Sequence, residues 1–293
     1  MTDNRMERVM DHFYVITNPA KDADLKVTYF IRDYLIKQGK TCVIDTGGDN
    51  KKQDGYTDRS KVDDKTECVI VLGGDGTLLQ AASDLVDMEI PFLGINLGTL
   101  GFLAEVSVSE TASALDRLIR DEYEIENRMM LYGTGPAGTS WQDEARALND
   151  IVITRKGSLQ IINFNIYVNG QFLHRYHADG VIVATPTGST GYSLSAGGPI
   201  VEPRANLILV SPICPHSMQS RSIVLSPEDR VMIELEPGHG EEGQQVEAIF
   251  DGSHKIALRA GDKVEIKKSR KTTGIIKLSQ MSFVEALHQK MSD

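Results

Sequence analysis

The chain has 293 residues, of which 41% are hydrophobic, so it can bury a large core, and this length favours two domains while allowing one. The net charge is −10 and basic residues are interleaved with acidic ones, which argues against an extended basic surface for nucleic acid. Apolar runs stay short of the roughly 20 residues that span a bilayer and the N-terminus lacks a secretory pattern, so we expect a cytoplasmic protein with no membrane partner.

Short apolar runs alternate with helical periods from residue 13 to about 125. Apolar residues recur at helical spacing from Leu25 to Leu35, Gly39 is a stop signal, and further helices are predicted over 77–87 and 110–120. Ser107 and Glu110 have capping-box spacing at the start of the last of these. Strands are predicted at FYVIT, TCVID, CVIVL and PFLGI. This alternation predicts an α/β N-terminal domain with a Rossmann-like parallel sheet, whereas the charged stretch at 48–67 predicts an exposed, mobile loop.

Beyond about residue 126 the period becomes that of strands. INFNIYVNGQFLH alternates apolar and polar residues and contains Asn169-Gly170, a strong hairpin-turn dipeptide. Short runs separated by Gly, Pro, Asp or Ser continue to about residue 270, and SFVEALHQKM then has a helical period. We therefore predict an α/β domain over 1–125, an all-β C-terminal domain built as a layered β-sandwich over 126–270, and a segment over 271–293 that packs back on the first domain.

The three cysteines, Cys42, Cys68 and Cys214, are odd in number and far apart. They fit neither a disulfide framework nor a zinc site, and we interpret them as buried structural thiols. We assign no residue as a metal ligand.

The segment VIVLGGDGTLL at 69–79 runs from a strand through three glycines into a helix. Glycine amides at such a point can hold a phosphate, yet the lysine-bearing phosphate-loop pattern and G-x-G-x-x-G are both absent. Asp75 would repel phosphate unless it accepts a proton from an attacking hydroxyl or holds a metal that bridges phosphates. The alternative is that Asp75 caps the helix near Thr77 or holds a turn.

Two further stretches carry polar groups beside apolar strands. DGVIVATPTGSTGYSLSAGGP at 179–199 offers hydroxyl side chains and Tyr192 to a polar ligand, the alternative being a flexible Ser/Gly loop. Asn149-Asp150 could pair with an adenine edge and with ribose hydroxyls, the alternative being an ordinary turn before a strand.

Together these segments resemble the NAD kinase family. GGDGT at 73–77 resembles its phosphate-donor motif, GINLGTLGFL at 94–103 its companion segment, LND at 148–150 its Asn-Glu or Asn-Asp pair, and the stretch at 179–199 its long glycine-rich motif. The order and spacing agree from about residue 13 to 285. GGDGT alone is less specific, since diacylglycerol- and sphingosine-type lipid kinases carry a similar loop and 6-phosphofructokinases a related one.

The resemblance implies an enzyme that transfers the terminal phosphoryl group of ATP, or of inorganic polyphosphate, to the adenosine 2′-hydroxyl of NAD and so makes NADP. It also implies a site between the two domains, a divalent metal (Mg²⁺) held largely through the donor phosphates, and a homo-oligomer, either dimer or tetramer. Asp75 is the implied general base. The implied contacts of the donor phosphates are Gly73, Gly74, Gly76 and Thr77.

The NAD-binding residues that the resemblance implies are Asp75, Gly76, Phe102, Asn149, Asp150, His177, Asp179, Thr190, Gly191, Tyr192, Ser193, Ser195 and His254. Among them, Asn149 and Asp150 would hold the adenosine portion, Asp179 would meet the nicotinamide end, and 190–195 would line the adenine pocket. Phe102 would be a wall of that pocket, or else pack in the core, and His254 would lie near the diphosphate, or else on the solvated surface.

Two positions depart from the family pattern. Gly191 stands where the family usually has alanine, so the loop loses a methyl group and NAD binding is expected to weaken slightly while the chemistry survives. His177 stands where many bacterial members have arginine, which leaves open an ionic contact there and the choice between NAD and NADH.

Two rival functions are open to a chain with these motifs. A diacylglycerol- or sphingosine-type lipid kinase would need an apolar or basic membrane face, which a net charge of −10 disfavours. A catalytically silent nucleotide-binding regulator would gain nothing from a carboxylate beside phosphates, so Asp75 argues against it.

Overall fold

The computed structural model describes residues 10–45, 57–98, 101–136, 145–157, 161–217, 220–237, 245–278 and 281–292. Residues 48–56 of the loop predicted at 48–67 lie outside the described ranges. Residues 57–67 are described, and they form a 3₁₀ turn at Arg59–Lys61 followed by the buried Val62, so the prediction of an exposed loop was wrong at Val62. Contacts divide the chain into two compact units. The N-terminal unit consists of Met1–Asn127 together with Thr273–Asp293, and the C-terminal unit is Arg128–Thr272.

The helices and strands of the described residues follow in chain order. The helices are α1 (Lys26–Lys37), α2 (Asp75–Asp84), α3 (Thr111–Ile119), α4 (Tyr192–Ser195) and α5 (Phe283–Ser292). The strands up to the first hairpin are β1 (His12–Thr17), β2 (Thr41–Asp45), β3 (Cys68–Gly73), β4 (Phe92–Asn96), β5 (Val106–Ser107), β6 (Glu124–Thr134), β7 (Arg146–Ala147), β8 (Asp150–Arg155), β9 (Ile162–Val168) and β10 (Gln171–Ala178). The later strands are β11 (Gly180–Ala184), β12 (Ile208–Ile213), β13 (Ile223–Leu225), β14 (Val231–Leu235), β15 (Val246–Phe250), β16 (His254–Leu258) and β17 (Lys263–Lys277).

A parallel sheet forms the centre of the N-terminal unit. Its strands lie in the order β4, β3, β1, β2, and both β5 and the end of β17 pair with β4, also in parallel. Every residue of β3 is buried, as expected for a strand covered on both faces. Ile31 and Leu35 of α1 pack in one core with Ile70 of β3 and Leu115 of α3.

The C-terminal unit is built from antiparallel strands. One run pairs β10, β9, β14 and the first part of β17, and a second sheet has the order β13, β12, β11, β8, β15, β16. Phe164 and Ile166 of β9 share one core with Ile153 of β8 and Val183 of β11, so side chains from both sheets pack together. The β9–β10 hairpin turns at Asn169 and Gly170, with φ of 52° and 79°, as the dipeptide predicted.

Several local predictions differ in detail from the structure. Helix α2 begins at Asp75, two residues before the predicted start, because the glycine loop itself forms the first turn, and it ends at Asp84. The capping box of Ser107 and Glu110 is confirmed. The interpretation of all three cysteines as buried was wrong for Cys214, which is exposed in a left-handed turn with φ of 44° after β12. None of the helices in the described ranges is long and apolar enough to cross a membrane.

Candidate active site

The carboxylate of Asp75 is the best-anchored group of the glycine loop. Oδ2 accepts a hydrogen bond from the backbone N–H of Phe102 at 2.8 Å, and Oδ1 accepts from Leu103 at 3.1 Å and Ala104 at 3.0 Å. The side chain therefore bonds a segment 27 to 29 residues further along the chain. Bonds from successive amides fix both the position and the orientation of the carboxylate.

Gly101 makes this arrangement possible. A Cβ at position 101 would lie 1.8 Å from Oδ1 of Asp75, far inside contact distance, so only a residue without a side chain lets the two segments approach. The companion segment of the sequence resemblance, which contains Gly101, is thus the part of the N-terminal unit that holds the aspartate.

Helix α2 begins in the glycine loop without a side-chain cap. Its N-cap residue is Gly74, which has no side chain to cap the first turn. The interpretation of Asp75 as a helix cap is therefore excluded, because its carboxylate bonds 102–104 instead. The first amides of a helix have no intrahelical acceptor, so the loop presents N–H donors to an anion.

The remaining residues of the loop differ in what they expose. Thr77 is buried, and its Oγ1 accepts a hydrogen bond from Asn18 Nδ2 at 3.3 Å. A Cβ on Gly73 would lie 2.3 Å from the same Oγ1, so the absence of a side chain at position 73 leaves room for the Thr77 hydroxyl. Gly76 is exposed and nothing lies within 4 Å of its Cβ position. Gly74 and Gly76 thus present bare backbone, whereas the Thr77 hydroxyl is used within the fold.

Phe102 lies beside the C-terminal helix. Its half-buried ring is 6.1 Å from the ring of Phe283, and Lys290 Nζ is 4.8 Å from its centroid. The ring is therefore packed by α5 within the N-terminal unit while part of it stays accessible.

A second carboxylate organises the Asn149-Asp150 dipeptide in the C-terminal unit. Asp251 Oδ2 accepts from the N–H of Leu148 at 2.7 Å, and its Oδ1 accepts from Asn149 at 2.8 Å and Asp150 at 3.1 Å. The N–H of Asp251 in turn donates to the carbonyl of Asp150 at 3.1 Å. Asp251 thus holds a three-residue turn by its backbone and leaves the side chains of Asn149 and Asp150 for other contacts.

The two acids of this turn share a dry environment. Burial, with the nearby charge of Asp251 as a second cause, raises the pKa of Asp150 to about 7. Burial likewise raises the pKa of Asp251 to about 6, against the opposing effect of the three backbone N–H donors. Asn149 Oδ1 is also buried, and no described residue gives it a hydrogen-bond partner. An unpaired buried acceptor is costly, so a ligand N–H at this point would relieve a penalty.

The long glycine-rich motif is held onto this turn by its own hydroxyls. Thr185 Oγ1 donates to the carbonyl of Leu148 at 2.6 Å, and Ser189 Oγ bonds both the N–H and the carbonyl of Val201. A Cβ on Gly188 would lie 2.1 Å from the carbonyl of Asn149, so the close approach requires glycine. The Ser/Gly stretch is therefore an ordered element, and the interpretation as a flexible loop is wrong.

The predicted adenine-pocket residues at 190–195 divide into inward and outward groups. The Ser193 side chain is fully buried and its Oγ lies 3.3 Å from Ser211 Oγ, so this hydroxyl fixes α4 rather than standing free for a ligand. Tyr192 is 47% exposed, and Ser195 is exposed as well. Thr190 Oγ1 donates to the carbonyl of Thr187 at 3.3 Å.

Electrostatics places Tyr192 near the acids of the C-terminal unit. Burial raises the pKa of its hydroxyl, and the charges of Cys214, Asp179 and Asp150 add to this effect. The aromatic ring and the two predicted NAD-binding aspartates therefore belong to one neighbourhood.

Gly191 approaches the Asn149 side chain. A Cβ here would lie 3.3 Å from Asn149 Nδ2 and 3.3 Å from the carbonyl of Gly188. The alanine that is usual in the family would thus press on the amide that the resemblance assigns to adenosine. Its absence gives that amide a few tenths of an ångström more freedom.

Asp179 and His177 lie at the end of β10. Arg155 Nε donates to Asp179 Oδ1 at 2.9 Å, and the Arg155 N–H donates to the Asp179 carbonyl at 3.1 Å. His177 is exposed, and its Nδ1 lies 2.5 Å from Asn163 Oδ1 on the neighbouring strand. His177 is thus held by a neutral amide, whereas Asp179 is held by a cation.

His254 begins β16 directly after the turn that contains Asp251. Its ring is 5.8 Å from that of Phe250, which is its partner across the β15–β16 pair. His254 thus lies three positions after Asp251, the residue whose carboxylate bonds the backbone of 148–150. It is half-buried.

The sequence motifs did not identify the residues that orient the site. Asp251 bonds residues about 100 positions away, and Arg155 bonds an aspartate in another segment. Gly101 lies inside the companion motif at 94–103, but the motif did not assign it this role. Asp251-Gly252 is a turn dipeptide, with φ of 46° and 73°, and this was the available signal. Among the described residues no group of three His, Cys, Asp or Glu side chains could hold a metal ion.

These two sets of residues define a class of enzyme. One unit carries a glycine loop with an anchored carboxylate, and the other carries an ordered polar turn with a buried amide oxygen that no described residue pairs, together with an accessible aromatic ring. Such parts suit a phosphotransferase that acts on a nucleotide.

Comparison with known proteins specifies the family. A family model described as the ATP-NAD kinase N-terminal domain matches residues 13–123, and one described as the ATP-NAD kinase C-terminal domain matches residues 148–278. An NAD kinase of Lachnospira eligens is 44% identical, with 96% of this chain and 100% of that protein covered, and one of Lachnoclostridium phytofermentans is 42% identical, with 97% and 100% covered. The chain belongs to the NAD kinase family.

Solved structures agree with this assignment. A yeast NADH kinase complexed with NADH has a TM-score of 0.82 at 25% identity, covering 98% of this chain and 89% of that one. An NAD kinase from Archaeoglobus fulgidus in complex with ATP has a TM-score of 0.77 at 23% identity, covering 96% and 99%, and it supports the fold alone. The resemblance found in the sequence and the predicted fold class, α/β followed by β, are confirmed.

Proposed function

We propose that this NAD kinase transfers the terminal phosphoryl group of ATP to the adenosine 2′-hydroxyl of NAD, with Asp75 as the general base. The observation that carries the proposal is the anchoring of the Asp75 carboxylate beside the bare glycine amides. Oδ1 accepts two N–H bonds and Oδ2 one, so Oδ2 keeps more acceptor capacity for a substrate hydroxyl. A positioned base of this kind contributes about 10²-fold to 10⁴-fold to the rate.

In the proposed step, the ribose 2′-oxygen forms a bond to the γ-phosphorus while the bond from that phosphorus to the bridging oxygen of ADP breaks. The hydroxyl proton passes to Asp75 Oδ2 and ADP carries away the leaving electron pair. Phosphoryl transfer asks the protein mainly for alignment and charge stabilisation. Backbone amides of Gly74 and Gly76 supply donors to the phosphates in this scheme. Gly73 is buried in β3, and the Thr77 hydroxyl is used within the fold.

The acceptor side of the proposal rests on the turn at 148–150. Asn149 Oδ1 is a buried acceptor without a described partner, which suits the exocyclic N–H of adenine. Asp150 stands beside it and suits ribose hydroxyls, and the exposed face of Tyr192 suits a base. Asp179, held by Arg155, and His177 are assigned to the nicotinamide end, and His254 to the diphosphate.

The proposed divalent metal is Mg²⁺. Mg²⁺ is commonly bound together with substrate phosphates, so in this proposal the ion arrives with the donor. When bound, the ion neutralises phosphate charge.

A homo-oligomer, dimer or tetramer, is also part of the proposal, and light scattering measures the oligomeric state.

The test is direct. Purified protein is incubated with NAD, ATP and Mg²⁺, NADP is measured by a coupled dehydrogenase assay, and inorganic polyphosphate and NADH replace ATP and NAD in parallel reactions. Formation of NADP that depends on both substrates is expected. A protein that binds NAD without making NADP would contradict the proposal.

A further inference from the structure

Lys21 brings a positive charge to the glycine loop from another part of the N-terminal unit. Its Nζ lies 3.2 Å from the point that a Cβ on Gly74 would occupy, and 3.6 Å from the corresponding point on Gly98. The residue is exposed and its chain folds back over these two glycines. The glycine loop lacks the lysine of the phosphate-loop pattern, but Lys21, 53 positions before Gly74 in the chain, brings an ammonium group close to it.

The loop that carries Lys21, residues 18–25 between β1 and α1, is fixed at its base. The N–H of Asn18 donates to the carbonyl of Leu72 at 2.9 Å, which ties the loop to the end of β3. The N–H of Lys21 donates to the carbonyl of Asn18 at 3.0 Å. The Asn18 side chain also bonds Thr77 of the glycine loop. The backbone of Lys21 is therefore held in a defined position relative to the glycine loop.

The charge of Lys21 is uncompensated within the described residues. No described carboxylate lies within ion-pair distance of its ammonium group, and the two acids that follow it in the chain have other partners. Asp22 accepts bonds from the N–H and hydroxyl of Thr28 at 2.9 Å and 2.7 Å, and these bonds lower its pKa. Asp24 pairs with Lys26 at 3.1 Å. A free ammonium over bare backbone is what an anionic polyphosphate chain would meet.

We propose that Lys21 is a phosphate ligand of the donor site and sets the affinity for the triphosphate or polyphosphate chain of the phosphoryl donor. The inference rests on the proposed function, because it takes the glycine loop to be the donor site. Lys21 acts as a point charge that binds the donor, whereas Asp75 acts on the acceptor hydroxyl. Its loss should therefore weaken the binding of donors and leave the binding of NAD unchanged.

The experiment compares Lys21→Met with Lys26→Met. Lys26 is a matched control, since it is exposed, lies five positions further on, and its ammonium group pairs with Asp24. Both variants are checked for folding by circular dichroism, and Lys21→Arg is a second variant that keeps the charge. Binding of ATP and of inorganic tripolyphosphate, each without NAD, is measured by calorimetric titration, and the KM values for ATP and NAD follow from kinetics.

Lys21→Met is expected to weaken the binding of both ATP and tripolyphosphate by about 10-fold to 100-fold, the range of one charge-assisted hydrogen bond. The KM for ATP should rise in step while the KM for NAD stays within about twofold. Lys26→Met should match the wild type, and Lys21→Arg should lie between the wild type and Lys21→Met. Equal donor affinity in Lys21→Met and wild type would overturn the assignment of Lys21 while leaving the proposed function intact. Wild-type protein that binds neither probe would overturn the donor site and Lys21 with it.

Discussion

The carboxylate of Asp75 accepts a hydrogen bond from the backbone N–H of Phe102 at 2.8 Å, so the glycine loop and the segment GFL are one structural feature. The same pattern occurs in the C-terminal unit, where Asp251 holds 148–150. In both units an aspartate accepts hydrogen bonds from three successive backbone N–H groups, one bond at Oδ2 and two at Oδ1. Asp75 lies at the proposed chemistry itself, whereas Asp251 positions other residues.

Asp75→Asn is expected to reduce kcat by about 10²-fold or more, because an amide cannot accept the hydroxyl proton. The KM for NAD should stay within about threefold of the wild-type value. The amide NH₂ would also face a backbone N–H of 102–104, so the melting temperature is measured beside the kinetics. A variant that keeps wild-type kcat would leave the family assignment intact and exclude Asp75 as the base.

Gly101→Ala is expected to reproduce much of this defect while Asp75 keeps its carboxylate group. The new Cβ would lie 1.8 Å from Asp75 Oδ1, so the side chain or the backbone must move, and the effective rate should fall by about 10-fold or more. Glu228→Gln, an exposed change in the other unit, is the control. If both variants have equal kcat, the orientation of Asp75 by 101–104 does not control the reaction.

The alternation of strands and helices was sufficient to predict most of the fold. The apolar run of β3, the Asn169-Gly170 turn and the capping box of Ser107 are each specified by neighbours in sequence. Site residues were assigned from the sequence only where they form contiguous motifs. Asp251 meets Asn149, and Lys21 meets Gly74, through tertiary contacts that no local period encodes. The burial of Ser193 in α4 was missed for the same reason, because its partner Ser211 lies on β12.

Asp251→Asn should raise the KM for NAD by about 10-fold while leaving the KM for ATP near the wild-type value. Replacing one carboxylate oxygen by NH₂ sets a donor against one of the amides of 148–150, so the turn that presents Asn149 and Asp150 loosens. Glu228→Gln, an exposed change in the same unit, is the control. Equal increases in both KM values would indicate general destabilisation instead of a positioning role.

Asp150→Asn is expected to be more stable than the wild type at about pH 8 and to lose this advantage at about pH 4. Burial raises the pKa of Asp150 from 3.8 to about 7, so the folded state binds the proton more tightly than the unfolded state. Its contribution to stability is complete below the unfolded pKa and is lost as the pH rises through the folded pKa. An amide carries no charge, so the variant escapes this loss, which amounts to about 1.4 kcal/mol for each pKa unit.

Urea unfolding of the wild type, Asp150→Asn and Glu228→Gln across this pH range measures the effect without substrates. The free energy of unfolding of Asp150→Asn is subtracted from that of the wild type at each pH. This difference should fall between about pH 4 and pH 7 and then level off. The corresponding difference between the wild type and Glu228→Gln should not change with pH. The direction is informative because an ordinary ion-paired aspartate would give the opposite slope, losing stability as the pH falls. A difference that rises with pH would therefore show that the Asp150 carboxylate is stabilised as the anion, against the dry environment that it shares with Asp251.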